Sequence, residues 1–251
     1  MHVDYLSYWS LRHRPFAEQR FFQGSGQCDV VEGIHRFVVS DDRITTVTGP
    51  SRSGVSCLLK YISTMRGLGD CAVDFLLSDA RTWKHQNLAQ HALVALNLET
   101  FRLPTLPQIR EILQSNKHQG LKTIWVIDHV NRELSVALHE WSAQCPEMVI
   151  ITGRSRPLVR AIDDTNSIDL DLLSREDGIW MIERGLEHAG GDPSVFSRSA
   201  SSRLHEVSQG RIGDMIAIAE YALHQAALNQ EPSITSTGID RIVNIRRSCS
   251  A

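Results

Sequence analysis

The residues Gly49-Pro50-Ser51-Arg52-Ser53-Gly54-Val55-Ser56 follow the run Ile44-Thr45-Thr46-Val47-Thr48. This is the order of a strand, a phosphate-binding turn and a helix start. Gly49 and Gly54 stand at the spacing of Gly-x4-Gly-Lys-Ser/Thr, but Val55 takes the lysine position. Such a turn binds phosphate because its backbone N–H groups converge on the anion and the positive end of the next helix adds to the attraction. Ser56 offers the hydroxyl that would hold Mg²⁺. The missing part is the ammonium that reaches the outer phosphates. One hydrogen bond to a charged group is worth about 1.5–3 kcal/mol, so nucleotide affinity is expected to fall roughly tenfold to a hundredfold. Hydrolysis suffers more, because charge stabilisation on the transferring phosphoryl group is most of what such a site supplies.

Two residues bear on whether that loss is repaired. Arg52, inside the loop, has a guanidinium that can grip phosphate oxygens in bidentate fashion; the alternative is a solvated loop residue. Asp128 ends the apolar run Lys122–Ile127, where it and Ser56 are the candidate pair for Mg²⁺, directly or through water. Their structural roles would be helix capping and a strand-end hydrogen bond. Arg154, Arg156 and Arg160 gather after Gly153, and a solvated helix start is the expected reading. The eleven histidines contain no His-Glu-x-x-His, so a histidine metal site is not expected.

The elements that must position these residues alternate. Helical spacing covers 28–40, with Val30, Val31, Ile34, Phe37 and Val38 near one face, and strands are expected at 44–48, 71–77, 122–128, 148–153 and 168–172. Helices over the continuation of the loop, 88–98, 104–119 and 133–144 lie between them. Strands alternating with helices predict a parallel sheet covered on both faces. From Ser174 no strand pattern remains, and helices are expected from Ser174 to Gly190 and at 197–208, 212–228 and 236–246. Ser174-Arg175-Glu176-Asp177 reads as an N-cap followed by acids in the first turn. The aromatic opening, Tyr5 to Phe16 with Phe21-Phe22, is expected to clamp onto the domain; a stacking surface for a base is the sharper alternative.

Composition narrows the class. With 42% hydrophobic and 22% charged residues the chain is an ordinary globular protein, and its net charge of −3 gives no general attraction to nucleic acid or anionic membranes. Five scattered cysteines without a Cys-x-x-Cys pair point to reduced thiols. No stretch approaches the ~20 apolar residues of a spanning helix, so the expectation is a cytoplasmic protein.

A phosphate loop, a strand ending in Asp128, a strand ending at Thr152-Gly153 and a helical lid together resemble the AAA+ ATPases. The opening Tyr8-Trp9-Ser10-Leu11-Arg12-His13-Arg14-Pro15-Phe16, with Leu173-Ser174-Arg175-Glu176-Asp177, Leu186 to Phe196 and Ser208-Gln209-Gly210, is similar to the ExeA-type (general secretion pathway protein A) family and its transposition-helper relatives. The resemblance implies an α/β three-layer P-loop sandwich followed by a small all-α lid. It divides the chain into a lead segment and helix packed on the core (1–43), the core (44–172) and the lid (173–251). It implies ATP and Mg²⁺ as cofactors, and assembly with copies or with a related ATPase.

The departures from that pattern fall on its chemistry. Where the family has Asp-Glu, this chain has Asp128-His129, so the water-polarising glutamate is replaced by a histidine of different shape and reach. Where a Pro-Arg pair would send an arginine from the lid to the nucleotide, Gly213 stands, and that contact is lost unless Arg211 supplies it. Three changed positions favour a domain that has kept the fold and given up turnover: an interaction or regulatory module with a protein partner. An ATPase served by Arg52 and His129, and a DNA-bound transposition helper, are the alternatives. The acidic net charge makes the last the weakest. The family's secretion role is not expected to carry over, because its members continue further beyond the lid.

Overall fold

The computed structural model describes residues 4–16, 24–65, 67–68, 71–84, 88–97, 106–155 and 167–249. In chain order the elements are α1 (Tyr5–Tyr8), α2 (Ser25–Val39), β1 (Ile44–Gly49), α3 (Val55–Ser63), β2 (Gly67–Leu68), β3 (Cys71–Asp79), α4 (Leu88–Ala95), α5 (Leu106–His118), β4 (Leu121–Asp128), α6 (Arg132–Gln144), β5 (Met148–Ser155), β6 (Ser167–Asp169), α7 (Arg175–His188), α8 (Arg198–Ser208), α9 (Ile212–Leu228) and α10 (Ser236–Cys249). They form two compact units, one of residues 27–49 and 55–170, the other of 1–26, 50–54 and 171–251.

The first unit is the α/β core. Its strands run in the order β2-β3-β4-β5-β1-β6, with all neighbours parallel except the short β2 against β3. Strands β4 and β5 carry the apolar runs 124–127 and 148–151 because both faces are covered there. Trp125, Ile127, Met148 and Ile150 cluster with Leu113, Leu134 and Leu138 of α5 and α6. Alternation along a strand sends Ile124 and Val126 to the opposite face, where α3 lies against β4 and β5 and buries Leu58, Leu59 and Ile62 completely. Gly153 permits the closest part of this packing, since a β-carbon there would collide with Leu59 Cδ1.

The second unit is helical. Ser174 Oγ accepts the Asp177 N–H at 3.1 Å and starts α7 as expected, and Ser197 Oγ does the same for α8 through the Ala200 N–H at 3.2 Å. Met181, Leu186, Leu204, Met215, Ala219, Leu223 and Ile239 form its core.

Among the described residues, the aromatic opening belongs to this unit, whereas residues 1–43 were expected as one segment with α2. Trp9, Leu11 and Phe16 are members of the helical core. Trp9 Nε1 donates to the Leu223 carbonyl at 2.8 Å, Arg12 N to that of Ala189 at 2.8 Å and Tyr8 Oη to that of Glu231 at 2.9 Å. The physical reason is that a few short helices leave an apolar face uncovered, and each large side chain buried on it contributes about 1.5–3 kcal/mol. Phe21-Phe22 lies outside the described residues. From Gln27 onward α2 belongs to the α/β unit.

Candidate phosphate loop and strand-end acid cluster

The phosphate loop follows β1, which ends at Gly49. Ser53 N donates to the Pro50 carbonyl at 3.1 Å, Arg52 has φ 65° and Gly54 φ 106°, so the chain turns through two left-handed residues before α3 starts at Val55. Ser51 is exposed and Pro50 half-buried. Ser53 is 1% exposed, and its Oγ has no hydrogen-bond partner among the described residues. A buried hydroxyl without a partner is costly, and a phosphate oxygen is the kind of acceptor that would satisfy it. Ser56 lies in the first turn of α3, whose leading N–H groups have no intrahelical acceptor. The buried Ser53 hydroxyl therefore fits an anion.

The side-chain cations do not. Val55 is 8% exposed, with Cγ1 close to Gly153, so an apolar contact fills the place where a lysine stem would run. Arg52 turns its guanidinium to the start of α9: Nε lies 2.6 Å from Asp214 Oδ1, and an Nη donates to the Gly213 carbonyl at 2.5 Å. In return the Gly213 N–H donates to the Arg52 carbonyl at 3.0 Å. Arg52, for which the sequence left open a phosphate grip or a solvated loop residue, here grips a carboxylate. Gly213, read from sequence as a lost lid arginine, is also what makes this approach fit, since a β-carbon there would stand 3.2 Å from Arg52 Cβ and 3.3 Å from Nε. Arg211 is the N-cap residue of α9 and makes no side-chain capping bond.

A second cluster forms at the carboxyl ends of β3 and β4, where Asp79 and Asp128 are register partners. Asp128 is 8% exposed. His129 has φ 61°; its N–H donates to Asp128 Oδ1 at 2.8 Å, and its Nδ1 lies 3.2 Å from Asp128 Oδ2 and 3.4 Å from Asp79 Oδ1. Both oxygens of Asp128 are therefore faced by His129. Arg81 Nε bonds both oxygens of Asp79, at 2.9 and 3.1 Å, and these bonds hold that carboxyl down at about 2, against burial, which works the other way.

No cluster of three or more His, Cys, Asp or Glu able to hold a metal occurs among the described residues. A Mg²⁺ ion at Ser56 and Asp128 would have one carboxylate and would need water and phosphate oxygens for the rest of its octahedron. Asp79 was not singled out in the sequence because the strand was expected to end at Leu77; two more residues of β3 bring it level with Asp128. Arg154 lies on β5, while Arg156 and Arg160 fall outside the described residues.

No family model and no curated protein sequence matches the chain. Solved structures do. The Thermotoga maritima RuvB Holliday junction branch migration motor superposes with a TM-score of 0.57 at 11% identity, covering 93% of this chain and 72% of that one. A variant of the same motor gives 0.59 at 11% identity, with 91% and 73% covered. Cdc6p from Pyrobaculum aerophilum gives 0.56 at 13% identity, with 83% and 62% covered. Identities this low speak for architecture alone. With the five parallel strands β3-β4-β5-β1-β6, the loop after β1 and the helical unit that follows the sheet, they establish that the chain has the AAA+ P-loop NTPase fold.

Proposed function

We propose that this chain is a non-hydrolysing AAA+-fold module that acts by interaction or regulation, alone as a homo-oligomer or alongside a related ATPase. The observation that carries the reading is the engagement of Arg52. It is the one loop cation that could replace the missing lysine, and its guanidinium is held by Asp214 and the Gly213 carbonyl. Val55 supplies no charge, and Asp128 faces His129 where the family has glutamate. The losses fall on phosphate binding, transition-state charge and water activation together, and groups that act as a unit are not rescued one at a time.

The ExeA-type likeness in the lead and lid segments supports placing the module among partners of that kind. The branch-migration role of RuvB is not carried over. The net charge of −3 argues against a nucleic-acid track.

Phosphate release from ATP by the purified protein tests the reading. The expected rate equals that of an Asp128→Ala variant. Turnover that Asp128→Ala abolishes would overturn the proposal and return the hydrolysing alternative, with His129 as the base.

A further inference from the structure

We infer that Asp214 is a built-in competitor for the phosphate loop: its carboxylate occupies Arg52 as a phosphate group would, and a polyphosphate anion and the Arg52–Asp214 contact exclude each other. The inference deepens the proposed function and rests on its reading of the loop as an anion cradle.

Three features make the contact a latch and not a chance surface pair. It is reciprocal: the guanidinium reaches Asp214 Oδ1 at 2.6 Å and the Gly213 carbonyl at 2.5 Å, while Gly213 N–H returns a bond to the Arg52 carbonyl at 3.0 Å. Its partners are shaped for it. Arg52 adopts a left-handed φ of 65°, which is unfavourable for a residue with a β-carbon, and Gly213 lacks the β-carbon that would crowd Arg52 Cβ. Asp214 also stands in the first turn of α9, where the helix dipole attracts a carboxylate.

The latch is strong enough to form and weak enough to be displaced. The Arg52 side chain is 51% exposed and that of Asp214 31%, so water and ions reach both. Exposed pairs are worth at most about a fivefold factor in an equilibrium. A polyphosphate brings more charge and a bidentate edge to the same guanidinium. It would also bring an acceptor for the buried Ser53 hydroxyl, which has no partner among the described residues. The ligand class is therefore a polyanion with at least two phosphates.

The test uses the full chain as wild type, Asp214→Asn, Arg52→Ala and the double variant. Each is titrated calorimetrically with inorganic tripolyphosphate and with ATP at low ionic strength, and hydrogen exchange is followed at the amides of residues 51–54. The expected result is about fivefold tighter binding in Asp214→Asn, weaker binding in Arg52→Ala, and no gain from Asp214→Asn once Arg52 is absent. Loop exchange without ligand should quicken by a similar factor in Asp214→Asn. Equal affinity in wild type and Asp214→Asn, the same gain without Arg52, or no binding by any variant would overturn the inference; unchanged loop exchange would remove the latch itself. Tripolyphosphate binding as well as ATP assigns the phosphate chain as the ligand, whereas binding of ATP alone assigns a nucleoside triphosphate. ATP turnover by wild type would refute the non-hydrolysing reading without touching the latch.

Discussion

On the proposed reading, Val55→Lys supplies the cation that the phosphate loop lacks, and the structure gives the size of the effect. Val55 is the first residue of α3 and 8% exposed. The position of a β-carbon on Gly153 would be 3.2 Å from both Val55 Cγ1 and Asp128 Oδ1, so the valine side chain and the Asp128 carboxylate border the same small space. Without nucleotide, the substitution loses roughly 1.5–2 kcal/mol of apolar burial. It also introduces an ammonium whose desolvation the nearby carboxylate offsets in part. A stability loss of about 1–3 kcal/mol is expected, which in a chain of this size lowers the melting temperature by about 2–10 °C. With nucleotide, the new charged hydrogen bond is worth about 1.5–3 kcal/mol, a tenfold to hundredfold gain in ATP affinity. At ATP one hundred times above its Kd, about 2.7 kcal/mol of stability returns. Calorimetric titration with ATP and Mg²⁺, beside thermal melts with and without ligand, reads both effects. A variant that melts cooperatively yet binds ATP no better than wild type would refute the assignment of Val55 as the missing cation. Micromolar binding by wild type would show that the backbone cradle is sufficient without it.

The remaining predictions concern packing and titration. Gly153→Ala drives a methyl into Leu59 Cδ1, a residue with no exposed surface, and overpacking of this kind costs about 1–3 kcal/mol, read as a lower urea midpoint with an unchanged slope; full stability would mean that α3 and β5 are not so closely packed. Asp79 is held at about 2 by Arg81, below an unfolded value near 3.8. The stability from this pair is present above pH ~4 and is lost as pH falls through about 2, the direction for a depressed carboxyl. Arg81→Ala should raise the Asp79 carboxyl toward its unfolded value in a carbon-detected NMR titration, and an unmoved value would assign the shift elsewhere. Burial pushes the Cys145 thiol up to about 11, while Cys28 is exposed, so iodoacetamide at neutral pH should label Cys28 in the native protein and reach Cys145 only on unfolding. Equal labelling rates would contradict the buried site.

What could be read from the sequence divides along a physical line. Periodicity, caps and glycines act over a few residues, and they delivered the architecture: the strand, loop and helix around Gly49 and Gly54, the N-cap at Ser174 and the span of α9 at 212–228. The aromatic opening was legible as a clamp but not in its destination, because Trp9, Leu11 and Phe16 would satisfy any apolar face. The choice is made by the helical unit, which offers the Leu223 and Ala189 carbonyls as acceptors. Arg52 and Gly213 lie 161 positions apart, and no local pattern joins a loop arginine to an aspartate in the first turn of a distant helix.

In the sequence Val55 and Gly213 stand as two independent departures, and the contacts of Arg52 bear on the second. A lysine at 55 and an arginine at 213 would each reach for phosphate. Here the loop's own arginine lies against Gly213, where a β-carbon would crowd it, and ends on Asp214. On the proposed reading, Gly213 is part of a local rearrangement in which Arg52 takes an internal carboxylate as its resting counter-ion.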